Sequence, residues 1–131
     1  MFSFVKNDNG DNFPIIEQKK STSATYAVGD ALIVDASTGY VKKCGATDKP
    51  SFICAQQVDA ATTAGDEISV NPVYAGQTWK STFSADASAL KAGAKVTLAN
   101  AQQVTATTTG GVATLVADGK ASSGEAIVKF I

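Results

Sequence analysis

The chain has 131 residues, enough for one domain with a real core and little room for a second. Its 11 basic residues are all lysine and face 12 acidic ones, so the formal net charge of −1 sets up no field that would draw nucleic acid or steer a charged substrate. Arg and His are both absent. That removes arginine clamps and guanine readout, the commonest general base and the commonest metal ligand, and so argues against proton chemistry.

The first residues, Met1-Phe2-Ser3-Phe4-Val5-Lys6, lack the basic stretch and long apolar run of a signal peptide. No stretch approaches the ~18 consecutive apolar residues of a membrane helix, so a soluble protein made in a cytoplasm is expected. Asn7 to Asn12 is a polar run with a turn-forming centre. It has the look of a calcium loop, but with Gly10 in the central place the first ligand falls on Val5 and the closing one on Ile16, and the match fails. Phe13-Pro14-Ile15-Ile16 is a short apolar anchor, followed by charged and then Ser/Thr-rich residues to Thr25. Residues 1–22 therefore read as an extended, flexible arm that a partner would order, and residues 23–131 as a single β-rich domain.

From Tyr26 the texture changes to short alternating runs punctuated by glycine. Strands are predicted over 31–34, 40–44, 52–58, 67–74, 77–83, 95–99, 103–107, 112–117 and 126–131. Asp35 to Gly39 reads as a hairpin loop, Pro72 as an edge position or a bulge, and Gly110-Gly111 as a hairpin turn rather than a phosphate cradle. Asp86 to Leu90 looks like one helical turn with Asp86 as its cap. In the run 77–83, Trp79 and Phe83 share a face with Gln77 and Ser81, so they point into a core or a subunit contact rather than forming a sugar-stacking platform.

A phrase recurs before four strands: Val28-Gly29-Asp30-Ala31-Leu32, Ala64-Gly65-Asp66-Glu67-Ile68, Ala92-Gly93-Ala94-Lys95-Val96 and Ser123-Gly124-Glu125-Ala126-Ile127. Glycine permits a positive φ there, and a short polar side chain can bond the turn. Asp30 and Asp66 are read as turn residues, not as an acid/base pair. Cys44 and Cys54 form no metal-binding spacing and read as small buried residues, although pairing of the strands around them would bring the two sulfurs close. Lys19-Lys20 and Lys42-Lys43 are the only adjacent basic pairs and read as solvated. No Ser or Thr sits in a nucleophile elbow. No catalytic residue, cofactor site or metal site is assigned. The expected fold is all-β, a small β-barrel or β-sandwich of short antiparallel strands with an extended N-terminal arm.

The polar arm, the run Tyr26-Ala27-Val28-Gly29-Asp30-Ala31-Leu32-Ile33-Val34, the strand Phe52-Ile53-Cys54-Ala55, the run Ala92 to Leu98 and the ending Gly124 to Phe130 together resemble the small β-barrel capsid decoration, or cement, proteins of tailed bacteriophages. The likeness covers about residues 25–131 on a domain-sized template. It implies a non-enzymatic virion structural protein on the outer capsid surface that staples neighbouring subunits. The major capsid protein would be its partner and a homotrimer its state, with no nucleic acid and no membrane involved. In some such proteins an arm adds a strand to the capsid protein. That role would fall on residues 1–22. The resemblance supplies no fixed set of binding residues; the apolar side chains of this segment, Phe2, Phe4, Phe13, Ile15 and Ile16, are the expected capsid contacts. The rival expectation is a carbohydrate-binding or adhesin-like module of a phage fibre, with an exposed Trp79.

Overall fold

The computed structural model describes residues 1–10 and 14–131. The chain is all-β: its regular elements are short strands, most of them antiparallel to their neighbours, and no helix occurs among the described residues. In chain order they are β1 (Ser3–Asn7), β2 (Glu17–Lys20), β3 (Ala31–Val34), β4 (Val41–Lys43), β5 (Phe52–Cys54), β6 (Glu67–Pro72), β7 (Gln77–Thr82), β8 (Lys95–Val96), β9 (Leu98–Asn100), β10 (Gln103–Val104), β11 (Ala113–Leu115) and β12 (Glu125–Phe130).

One sheet has the order β2-β6-β5-β3-β4. Its two ends meet. Ser21, just after β2, bridges Val41 at the start of β4, and the Thr22 amide donates to the Val41 carbonyl at 3.0 Å. The sheet thus curls until its ends touch at this one bridge, which makes a small ring but leaves the outer side of β2 itself unpaired. Inside lie Tyr26, Leu32, Val41, Cys54, Ile68 and Val70, all buried. The period of two sorts the rest: Ala31, Ile53 and Cys44 face outward from this ring into a second, larger core.

That second core belongs to the sheet β1-β7-β12-β11-β8 and the hairpin β9-β10. β8 and β9 are nearly one strand, bent at Thr97, whose hydroxyl pairs with that of Thr105 at 2.8 Å. Beyond the end of β7, Phe83 bridges Val104 of β10, and the Ser84 amide donates to the Val104 carbonyl at 2.9 Å. The hairpin therefore folds back toward β7 and covers the core from that side. Trp79 and Phe83 are each 1 % exposed, and Gln77 and Ser81 on the same face are buried with them. Thr78, on the opposite face, is buried as well, whereas Lys80 is exposed.

Direct hydrogen bonds tie the first sheet and its loops to the β9-β10 hairpin and to the residue before β1. Ala31 donates to the Ala101 carbonyl at 2.7 Å, Leu98 to that of Ala46 at 2.9 Å, and Phe2 to that of Gly29 at 3.0 Å.

The N-terminal segment departs from the sequence expectation. Residues 3–7 are not an arm lying off the domain. They pair antiparallel with β7, Ser3 opposite Lys80 and Asn7 opposite Gln77, with a bulge between Phe4 and Lys6. Phe2 is only 2 % exposed and meets Phe130 edge-on at 5.3 Å; Phe4 meets Trp79 the same way at 5.4 Å. Burying these rings supplies the driving force that the polar residues around them conceal. Residues 17–20 likewise form a strand, with Glu17 opposite Val70 and Lys20 opposite Glu67.

The turn expected at Asp86 is present, its carboxylate accepting from the Ser88 amide at 3.0 Å and the Leu90 amide donating to Ala87, but it is a lone turn that forms no helix. β4 and β5 do not pair with each other, because β3 lies between them. Pro72 closes β6 beyond the reach of β2, so its missing N–H removes no ladder bond on that side. Gly110-Gly111 links β10 to β11, which are not paired, so this turn makes no hairpin; Gly111 lies against Lys95 because β11 pairs with β8.

Candidate functional site

The contact residues expected from the sequence separate into two groups. Phe2 belongs to the core, and Phe4 packs against it. As folded, Phe2 offers no surface to a partner, and Phe4 has an aromatic neighbour on its ring. Phe13 lies outside the described residues. Ile15 and Ile16 are different. They are 55 % and 65 % exposed and run straight into β2.

β2 is an edge. β6 hydrogen-bonds one side of it, and no strand among the described residues lies along the other. The Ile15 carbonyl is held by the Asn71 side-chain amide at 3.0 Å, which fixes the approach of the chain to β6. The edge is guarded in a usual way, by charge. Lys19 pairs with Glu17 at 3.3 Å and sits over the Phe52 ring at 5.3 Å, and Lys20 is exposed. An exposed apolar pair followed by a short open edge is the geometry into which an extended segment of another protein can add, backbone to backbone, with two apolar side chains as the anchor.

Lys20 stands opposite Glu67 of β6 and Lys19 pairs with Glu17, so the lysine pair of β2 has acidic neighbours around it.

The repeated phrase is one turn used four times. The amide of the residue after the corner donates back to the carbonyl three residues before it: Asp30 to Ala27, Asp66 to Thr63, Ala94 to Lys91 and Gly124 to Ala121. In the first two copies the carboxylate closes the turn a second time. Asp30 accepts from the Ala27 amide at 2.8 Å and Asp66 from the Thr63 amide at 2.9 Å. Gly29, Gly65 and Gly93 hold the positive φ, as the sequence implies, but in the fourth copy Ser123 takes it at φ 67°. Gly124 is kept there for space, since an added Cβ would fall 2.4 Å from that of Lys120. Asp30 and Asp66 are thereby occupied in turn chemistry.

The thiols do not meet. β4 and β5 flank β3, which sets the two cysteines roughly 9.5 Å apart, too far for a disulfide. They also point to opposite faces, Cys44 to the larger core and Cys54 into the ring. Burial pushes the Cys44 thiol up to about 12, helped by the nearby Asp48 carboxylate. Burial also raises Cys54. Two surface carboxyls move the other way: hydrogen bonds from Ser37 lower Asp35, and hydrogen bonds from Ser88 lower Asp86.

No group of three or more Cys, Asp or Glu side chains arranged to hold a metal ion occurs among the described residues. No family model matches the chain, and none of the curated proteins matches it.

Proposed function

We propose that the chain is a virion structural protein that decorates and stabilises the outer surface of a tailed-phage capsid, with the major capsid protein as its partner. The observation that carries this reading is the exposed Ile15-Ile16 pair leading into the open edge of β2. A decoration protein needs contact area and fixed geometry. The hydrogen bonds that tie the first sheet to the β9-β10 hairpin and to the residue before β1 give a rigid block, and the edge gives a defined place of attachment. Each contact is small, but repetition over a symmetric shell, with the chain itself a homo-oligomer such as a trimer, supplies avidity. The chain would be made in the host cytoplasm and join the shell there. With Phe2 buried, the attachment proposed here rests on residues 15–20 and not on the first residues.

The rival reading, a carbohydrate-binding module of a fibre, rests on an exposed Trp79, and that ring is 1 % exposed. The test is co-sedimentation with empty capsids of the particle with which the chain co-purifies. Wild type pellets with the shells, and Ile15→Ser/Ile16→Ser, which alters exposed side chains only, loses most of its binding. Capsids that leave the wild type in the supernatant, or that bind both proteins equally, refute the proposal.

A further inference from the structure

A polar groove of about 360 Å³ opens where the two sheets meet. Its walls come from four separate places. Thr25 to Ala27 and Val58 form one side, tied by reciprocal hydrogen bonds between Tyr26 and Val58. Lys43 arrives from β4, Gln57 and Asp59 from the segment after β5, and Gln102 from the β9-β10 turn of the other sheet. Asp30, only 3 % exposed, is the buried charged side chain of this lining. Pockets at such junctions are common places for small ligands, and this volume lies within their usual range.

The lining carries both donors and acceptors, and its carboxylate and amide side chains are steadied by bonds inside the protein with capacity left. The Asp30 carboxylate accepts from the Ala27 amide and from the Gln102 side-chain amide, two donors against about four acceptor positions. Gln102 and Gln57 each use one side-chain N–H, Gln57 toward Asp59 at 2.8 Å, and keep a second. The Lys43 ammonium lies 5.9 Å from the centre of the Tyr26 ring and makes no ion pair among the described residues. Two carboxylates against one ammonium disfavour an anion, and the ammonium disfavours a simple cation. A neutral group whose every oxygen both donates and accepts satisfies all of them at once.

We propose that this groove binds one pyranose unit of a neutral saccharide, its vicinal hydroxyls bridging Asp30 and Lys43 and a third hydroxyl reaching Gln57 and Asp59. Tyr26 is buried beneath the groove and offers no ring face, so a single sugar binds in the millimolar range and useful affinity comes from repetition on an assembled particle. The site is independent of the capsid reading, since none of its residues belongs to the β2 edge.

The test is a titration of the ¹⁵N-labelled full chain, followed by amide chemical shifts, with the methyl α-pyranosides of glucose, galactose and mannose and with N-acetylglucosamine. Glycerol serves as the non-cyclic control. At least one pyranoside should give saturable shifts confined to residues 25–27, 30, 43, 57–59 and 102, with none from glycerol. Gln57→Ala/Asp59→Ala alters exposed side chains, and should weaken that binding about fivefold or more while leaving the remaining spectrum unchanged. Lys43→Met keeps the aliphatic stem over Tyr26 and should weaken binding likewise. Absence of saturable shifts in this region with every pyranoside overturns the proposal. So does binding that survives all three substitutions undiminished.

Discussion

Replacing Phe2 by alanine tests whether the first residues are a strand of the domain or an arm. The ring is 2 % exposed, stacks edge-on with Phe130 and is held by the hydrogen bond from its own amide to Gly29. Truncating a buried Phe to Ala costs about 3–5 kcal/mol, of which the aromatic pair accounts for about 0.5–1.5 kcal/mol. Phe2 lies beside a chain end, so the domain can limit its loss by letting β1 fray. The lower end, about 3 kcal/mol, is therefore expected. For a chain of this length that is a fall of roughly 10 °C in Tm. Phe2→Leu, which keeps most of the apolar volume, should cost under about 1.5 kcal/mol. Urea and thermal melts measure both, and hydrogen exchange of the wild type should show residues 3–7 protected. If Phe2→Ala costs less than about 0.5 kcal/mol and the amides of residues 3–7 exchange as freely as an unfolded peptide, the docking of β1 on β7 is wrong.

Four further outcomes follow from burial and backbone. Both cysteines have raised thiol pKa values, so the folded state holds its thiol protons more tightly than the unfolded chain does. Their contribution to stability is complete below the unfolded thiol pKa and is lost as pH rises from there toward about 12, the folded value of Cys44. Urea midpoints should therefore fall through that alkaline window, and a Cys44→Ala/Cys54→Ala variant should show a flatter decline. The same burial predicts that thiol reagents at neutral pH label the native protein slowly and the urea-unfolded protein fast. At Gly119, an added Cβ would lie 2.0 Å from the Ala87 carbonyl oxygen, a backbone atom that cannot swing aside. Gly119→Ala should cost about 1–3 kcal/mol through overpacking. Gly93→Ala meets open space but must adopt φ +93°, for about 1–2 kcal/mol. Denaturant melts that find both substitutions neutral would refute these two turn geometries.

Much of the fold is legible along the chain because strands and turns are written locally. The apolar run 31–34 and the patterns of 77–83 and 126–131 mark β3, β7 and β12, and the glycine phrase marks where strands begin. The inward side of Trp79 and Phe83 follows from the same period of two. What fails is everything that depends on a distant partner. Residues 3–7 look like an arm because Lys6, Asn7 and the polar run after them suggest solvent, and nothing nearby announces that Ser3 pairs with Lys80. Residues 17–20 read as charge, yet the Lys19 ammonium sits over the ring of Phe52 from another strand. The two cysteines look pairable until β3 is seen between their strands. The exposed site was half legible: Ile15 and Ile16 stand out as apolar residues in a polar stretch, but the open edge beside them exists only once β6 has paired with the other side of β2.

Composition and local periodicity by themselves determined that this is a β protein of short strands with glycine corners, because side-chain alternation and positive φ are properties of a few consecutive residues. Only the tertiary structure decided that the first sheet closes through Ser21 and Val41, that Phe2 belongs to the core, and that Asp30, Lys43, Gln57 and Gln102 border one groove. Each of these joins residues far apart in the chain, and the free energy that selects such contacts comes from surface buried in the whole molecule rather than from any local preference.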